Sequence, residues 1–154
     1  MAIYFCAFLI GVIAGLRALT APMAVSWAAR LGWLHLENTP LAFMGYAATP
    51  YIWTVLAIAE IINDKLPKTP SRTAPGGFIP RLVTGALSGA ALGSAVGELV
   101  GGLIAGLAGS VAGTFGGYQA RMRLVRAIGG NDLPIALLED AIAVGGAFFL
   151  VSRF

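Results

Sequence analysis

The chain has 154 residues, of which 58% are hydrophobic and only 11% charged, and its formal net charge is +3. Together with a mean hydropathy of +0.83, this composition is typical of integral membrane proteins. The single Cys6 excludes an internal disulfide framework and a cysteine-based metal site, and the lone His35 has no second histidine with which to share a metal. We therefore predict one integral membrane domain over residues 1–154, with no cofactor and no metal.

Five apolar segments follow one another along the chain, each near the roughly 20 residues that a 30 Å hydrocarbon core requires. They cover residues 2–20, with a helical continuation toward Trp33, and then 51–66, 81–98, 100–121 and 133–151. The N-terminus lacks the basic region of a secretory signal peptide, so we interpret the first segment as a retained span. The sequence predicts an all-α, polytopic transmembrane helix bundle of about five spans.

Five glycines lie four residues apart in the third and fourth segments, at Gly85, Gly89, Gly93, Gly97 and Gly101. Small residues at this spacing allow two membrane helices to approach closely, which favours glycine-zipper packing; a pore wall or a sliding surface is the alternative. A continuous helix over residues 81–121 would be about 60 Å long, twice the core thickness. We therefore predict a turn near Glu98 and a helical hairpin.

Basic residues predict the orientation, because Lys and Arg accumulate in the cytoplasmic loops of membrane proteins. With five spans, one side carries Lys65, Lys68, Arg72, Arg81, Arg121, Arg123 and Arg126, and the other carries Arg30 and Arg153. This asymmetry predicts a multi-pass protein of the cell (inner) membrane with a cytoplasmic N-terminus and an external C-terminus. The net charge then reflects topology or anionic lipid, and we expect no nucleic-acid partner.

An internal repeat relates residues 11–33 to residues 102–124, which match at eight of 23 aligned positions. Biased composition produces such matches by chance, so both a duplication and a coincidence stay open. A duplication, with repeat units 1–66 and 100–154, would be an inverted-topology repeat of the kind found in secondary transporters. In it Pro22 aligns with Gly113, beside Gly116 and Gly117, which predicts helix breaks at these positions. A simple kink or helix end is the alternative for Pro22.

Ionisable residues inside the apolar segments are the strongest functional signal, since each is costly in lipid unless paired or hydrated. The candidate ligand- or ion-binding residues are Arg17, Glu60, Asp64, Glu139 and Asp140. Counted along their helices, Glu60 and Glu139 both lie roughly 9 Å from the cytoplasmic edge, which would suit a cation or a shared proton. Arg17 differs from Glu60 in depth by about 12 Å on this count. The alternative is that the carboxylates form surface salt bridges with Lys65, Arg121 and Arg126.

The connection over residues 66–80 contains four prolines and two adjacent glycines, which exclude a long helix. Its basic residues, together with those after the fourth segment, could contact a phosphate or a lipid head group. These candidates are Lys68, Arg72, Arg121 and Arg126. The alternative is a connection that only obeys the positive-inside rule.

Four segments stand out as motifs: AGLRALTAP (14–22), DKLPKTPSRTAPG (64–76), GTFGGYQAR (113–121) and LLEDAIA (137–143). With these motifs the chain resembles a bacterial membrane-protein family catalogued as domain of unknown function 4126. The similarity spans nearly the whole chain, and the 64–76 motif is its most specific part. The resemblance implies a small integral membrane protein and assigns no activity, ligand or site residue.

We interpret the sequence as that of a membrane protein that transports or conducts a small solute or ion, rather than an enzyme, and we assign no catalytic residue. In this interpretation Glu60 and Glu139 bind the cation or proton, and Arg17 is a counter-charge or anion ligand. One alternative is an enzyme or binding protein for a phospholipid or polyprenyl head group at the cytoplasmic face. Another is a structural or assembly protein. The expected partners are the lipid bilayer, the solute or ion, and further copies of the chain, because so small a bundle has little interior of its own.

Overall fold

The computed structural model describes residues 2–37, 39–63, 75–130 and 132–153. The helices are α1 Ala2–Leu16, α2 Thr20–Arg30, α3 Thr49–Asn63, α4 Pro75–Ser94, α5 Leu99–Ala127 and α6 Asp132–Val151. A short 3₁₀ helix, Ala42–Gly45, lies between α2 and α3. The described residues contain no strand, and the predicted all-α class is confirmed for them.

The first apolar segment is divided into two helices by a break at residues 17–19. The Arg17 N–H still donates to the Ile13 carbonyl at 2.8 Å, and α2 begins only at Thr20. Pro22 lies in the first turn of α2, where its missing N–H costs little because the first helical N–H groups have no intrahelical acceptor. The prediction that Pro22 itself breaks the helix is therefore wrong, and the break precedes it.

A tight turn joins α4 and α5, as the segment lengths predicted. Helix α4 ends at Ser94 and α5 begins at Leu99, after Glu98. Gly97 has a φ of +80° in this turn, a backbone conformation that favours glycine. The predicted helical hairpin is confirmed.

Backbone atoms of α4 and α5 meet directly at their glycines. A Cβ atom added to Gly89 would lie 2.7 Å from the Gly106 Cα, and one added to Gly106 would lie 2.9 Å from the Gly89 Cα. Real Cβ contacts do not reach such distances, so these two positions exclude every side chain unless a helix moves. The five-glycine ladder is not one continuous stripe, however, because Gly97 lies in the turn and Gly101 faces the ring of Tyr4.

Helix α1 packs on another face of α5 in the same manner. A Cβ atom on Gly15 would lie 2.5 Å from the Thr114 N, and one on Gly113 would lie 2.8 Å from the Val12 Cα. Helix α5 continues without interruption through Gly113, Gly116 and Gly117, so the predicted break at these glycines is wrong. Gly113 instead allows the close approach of α1 to α5. The two segments of the repeat proposed from sequence therefore differ, because the first is divided between α1 and α2 and the second lies within the continuous α5.

The bundle buries small apolar residues and exposes many large ones. Its core joins side chains of α1, α2, α4 and α6 with Leu34, Leu36 and Met44 from the connection after α2. Large apolar side chains point outward, such as Val100 at 67% and Ile104 at 60% exposure on α5. Among the described residues, α5 and residues 134–151 of α6 are long and apolar enough to cross a membrane, with mean hydropathies of 1.6 and 1.8. Helices α1 and α3 are apolar but shorter, at 15 residues each, and five spans stay a prediction.

The two ends of the bundle are identified by contacts between helices. The Tyr4 hydroxyl donates to the Glu98 carboxylate at 2.8 Å, so the start of α1 lies beside the α4–α5 turn. The other end of α1 lies beside Arg81, near the start of α4, because the Arg81 Nε donates to the Gly15 carbonyl at 3.0 Å. The start of α1 and the start of α4 are therefore at opposite ends of the bundle, whereas the predicted five-span topology puts the N-terminus and the basic connection on one side of the membrane.

Helix α6 runs antiparallel to α1, since Asp140 pairs with Arg17 and Gly146 approaches Ile13. The C-terminal end of α6 thus lies at the same end of the bundle as the start of α1. Hydropathy could not predict this arrangement, because it detects the apolar segments and not the direction in which the chain passes through them.

We expect both termini to label on the same side in sealed vesicles, opposite to Arg126. Single cysteines at residues 2, 126 and 153 in a Cys6→Ser background would be modified with a membrane-impermeant maleimide. The basic residues near the end of α5 favour a cytoplasmic position for residue 126 and an external one for the termini. Labelling of residues 2 and 126 from the same side would contradict the arrangement of α1.

We expect Gly89→Ala to destabilise the protein by about 3 kcal/mol, because the new methyl group overlaps the backbone of α5 and forces two helices apart. Thermal unfolding in detergent would measure the loss. Gly116→Ala is the matched control, since an added Cβ there meets nothing within 4 Å. At this exposed helical position alanine should be neutral or stabilise by up to about 1 kcal/mol. Equal effects of the two changes would show that the close approach of α4 and α5 is not required.

Candidate functional site

Charged side chains from α3, α4 and α6 lie close to the break between α1 and α2. The break itself contains a further charged residue, Arg17. Arg17 lies between the two helices with 0% of its surface exposed, which makes it the largest fully buried side chain of the described residues. It interacts with Glu60 near the end of α3 and with Asp140 in α6, and Arg81 in α4 acts on the same Glu60. We call these four residues the break site.

Arg17 and Asp140 form a buried ion pair. The Arg17 Nη2 contacts the Asp140 Oδ1, with 1% of the Arg17 side chain and 12% of the Asp140 side chain exposed. An ion in a low-dielectric interior loses several kcal/mol of hydration, which only a close partner offsets. The pair therefore holds α6 against the end of α1.

Glu60 binds the start of α2 through the backbone. Its Oε2 accepts a hydrogen bond from the Leu19 N–H at 3.1 Å. The first N–H groups of a helix have no intrahelical acceptor and carry the positive end of the helix dipole. The Glu60 carboxylate thus occupies the position in which a capping side chain or a bound anion is stabilised.

Arg81 makes the corresponding contact at the end of α1. Its Nε donates to the Gly15 carbonyl at 3.0 Å, and the side chain is buried. A cation is favourable there because the last carbonyl groups of a helix carry the negative end of the dipole. The break is thus held by a carboxylate at one helix end and a guanidinium at the other.

Glu139 belongs to a second ion pair outside the break site. Its Oε2 lies 3.9 Å from the Arg121 Nη1, and 8% of Glu139 is exposed. The predicted pairing of Glu60 with Glu139 around one cation is not found, since each has a different contact. The alternative from sequence, a salt bridge between a carboxylate and Arg121, is observed for Glu139.

The predicted difference in depth between Arg17 and Glu60 is wrong. Glu60 binds the amide of Leu19, two residues after Arg17. The sequence count measured Arg17 from an N-terminus on the same side as the basic connection. Because α1 starts at the opposite end, a position far along α1 lies close to Glu60.

Two oxygens at the break are buried and have no hydrogen-bond partner among the described residues. They are the Glu60 Oε1 and the Thr20 Oγ1, and Thr20 itself is 1% exposed. The Ser88 Oγ, in α4 two turns after Arg81, is also buried and has no hydrogen-bond partner among the described residues. A buried polar atom without a partner costs about 1–3 kcal/mol, and in native proteins such atoms bind water or a ligand. The break site therefore has hydrogen-bonding capacity that the described residues do not use.

The remaining predicted site residues lie elsewhere. Arg126 is exposed in the last turn of α5. Asp64, Lys68 and Arg72 lie outside the described residues. A cavity of about 300 Å³ near the connection after α2 is lined by Ala29, Leu36, Glu37, Ala42, Gly45 and Tyr46. It contains none of the buried charges.

Sequence reasoning did not identify Arg81 or Thr20 as site residues. Arg81 was counted as a loop charge because it follows the proline-rich connection. Its position six residues inside α4, followed by an uncharged stretch to Gly97, was the available signal. Thr20 gave no signal, because threonine is common in membrane helices and only the break makes its hydroxyl notable.

Comparisons with known proteins identify a family and no individual relative. No curated protein and no solved structure matches the chain. The model of the family described as domain of unknown function (DUF4126) matches residues 5–152. This match covers nearly the whole chain and agrees with the resemblance carried by its motifs. The chain therefore belongs to the domain of unknown function 4126 family.

Proposed function

We propose that the protein is a membrane transporter or channel for a small ion or solute, and that the break site binds it. The observation that carries the proposal is the convergence of Arg17, Glu60 and Asp140 in the interior, where α1 and α2 are interrupted. Charges in such a position are costly and are characteristic of ion pathways. Helix ends that open into the interior are the usual binding elements of secondary transporters.

Polar residues extend from the break site along one face of α4. Arg81, Thr84 and Ser88 are all buried and follow at intervals of three and four residues, so they share that face. Further along α4, Ala91 and Leu92 belong to the apolar core with residues of α1, α2 and α6. We call the end of the bundle at which α1 and α5 end and α4 begins the basic end. The order of residues along α4 supports a path that is polar from the basic end to the middle of the bundle and closed by apolar packing beyond it.

The alternative function, an enzyme or binding protein for a lipid head group, has weaker support. It requires basic residues that are free to contact phosphate near one end of the bundle. Arg126 is exposed, but Arg121 is already paired with Glu139.

We further propose that the protein is embedded in the bilayer as an oligomer, in which glycine-zipper packing holds each chain together. The outward apolar residues of α3, α5 and α6 support contact with lipid or with further copies. On the positive-inside rule the basic end is cytoplasmic.

We expect Glu60→Gln to preserve folding and to abolish proton-coupled ion flux. The amide keeps the shape of the side chain and one oxygen for the Leu19 N–H, but it cannot exchange a proton. The purified protein would be reconstituted in vesicles loaded with a pH-sensitive dye, and the internal pH would be followed after addition of chloride, formate, sodium or potassium salts. Thermal unfolding of the same samples would report folding.

Glu98→Gln is the matched control, because Glu98 lies at the opposite end of the bundle beside Tyr4. It should retain the flux of the unmodified protein. If Glu60 has only a structural role, Glu60→Gln should destabilise the protein by about 3 kcal/mol instead, since the buried guanidinium groups lose one of the carboxylates that balance their charge. A stable Glu60→Gln protein with full flux would contradict both roles.

A further inference from the structure

We propose that the break site binds a small monovalent anion together with a proton on Glu60, so that the protein carries the two in the same direction. This inference deepens the proposed function and rests on it. The juxtaposition that carries it is the Glu60 carboxylate on the Leu19 N–H, within electrostatic reach of Arg17 and Arg81, with the buried hydroxyl of Thr20 on the next residue of the chain.

The Glu60 carboxylate itself occupies an anion site. It accepts the Leu19 N–H at the start of α2, an 11-residue helix, and both Arg17 and Arg81 act on it electrostatically. Backbone N–H groups at a helix start combined with guanidinium groups are a common way to bind a carboxylate or another small anion. Glu60 thus fills, from within the chain, a place that an external anion of similar size could take.

Charge balance among the four described residues of the break site favours an anion over a cation. These residues are Arg17, Arg81, Glu60 and Asp140, and their formal charges cancel when both carboxylates are ionised. A cation beside Glu60 would add a positive charge next to two guanidinium groups. A proton on Glu60 followed by a monovalent anion restores neutrality, which a low-dielectric interior favours.

Thr20 supplies a further donor. It is the first residue of α2, it is 1% exposed, and its Oγ1 has no hydrogen-bond partner among the described residues. A hydroxyl can donate to an anion that replaces the Glu60 carboxylate at the adjacent Leu19 N–H. Thr20 and Glu60 are therefore assigned as the residues that determine binding and coupling.

The exchange is balanced in protons and charge. A proton from water binds a Glu60 oxygen, and the neutral carboxyl group binds the Leu19 N–H less strongly than the carboxylate did. The anion then accepts hydrogen bonds from the Leu19 N–H and from the Thr20 hydroxyl. Release of both ions on the other side returns the ionised Glu60 to Leu19. One proton and one monovalent anion cross together, so the transport moves no net charge.

Ion binding can be measured on the purified full-length protein without transport. Thermal stabilisation and calorimetry would be recorded with sodium chloride, nitrate and formate at pH 5 and pH 8, with sodium gluconate keeping the ionic strength constant. We expect binding of at least one small anion at pH 5, weakening by up to about tenfold per pH unit where Glu60 ionises. Glu60→Gln should bind the same anion equally at both pH values.

Two further variants refine the test. Thr20→Val removes the hydroxyl at nearly constant shape and should weaken anion binding about tenfold while leaving its pH dependence, since one hydrogen bond to a charged group is lost. Glu98→Gln should behave as the unmodified protein. If Glu60→Gln does not fold, the pH series of the unmodified protein and Thr20→Val still decide the inference.

The outcomes separate this inference from the proposed function. In a parallel series, choline chloride would be replaced by sodium or potassium chloride. If these cations stabilise the protein and the choice of anion has no effect, the anion inference is overturned and the proposal of an ion transporter remains. Anion binding that is independent of pH in the unmodified protein would overturn the role of Glu60. Absence of both ion binding and ion flux in vesicles would overturn the inference and the proposed function together.

Discussion

The burial of the Arg17 guanidinium is the constraint on which the arrangement of the other helices depends. A cation removed from water in an apolar bundle requires a carboxylate in contact, and Asp140 supplies it from α6. Because Arg17 lies at the end of α1, the same place must also satisfy the backbone groups freed by the break. Glu60 and Arg81 do so, one at each helix end. One buried charge thus fixes where α3, α4 and α6 approach α1.

Glycine packing makes this arrangement geometrically accessible. The backbones of α1, α4 and α5 touch at Gly15, Gly89 and Gly106, so no side chain separates these helices at those positions. Their side-chain volume is instead turned outward, where it gives α5 its apolar surface. The glycines also matter to the site, because the carbonyl of Gly15 accepts a hydrogen bond from the Arg81 Nε at 3.0 Å.

Local chemistry predicted the candidate site better than it predicted the path of the chain. Arg17, Glu60 and Asp140 were identifiable because a charge inside an apolar segment is costly, and the α4–α5 turn followed from helix length. The break before Thr20 and the direction of α1 were not, since hydropathy is the same for either direction of a helix. Arg81 was not identified as a site residue, because the positive-inside rule counts basic residues in the sequence and contains no information on their burial.

Two oxygens of the break leave its hydrogen bonding incomplete among the described residues. Charges that only join helices are best stabilised when every lone pair and proton is used, because an unsatisfied buried group subtracts from the stability that the pair contributes. At the break, the Glu60 Oε1 and the Thr20 Oγ1 have no such bond among the described residues. The site keeps one acceptor and one hydroxyl available beside two guanidinium groups. That combination stabilises the folded bundle less than a fully satisfied network would, and it suits a site that must exchange its ligand.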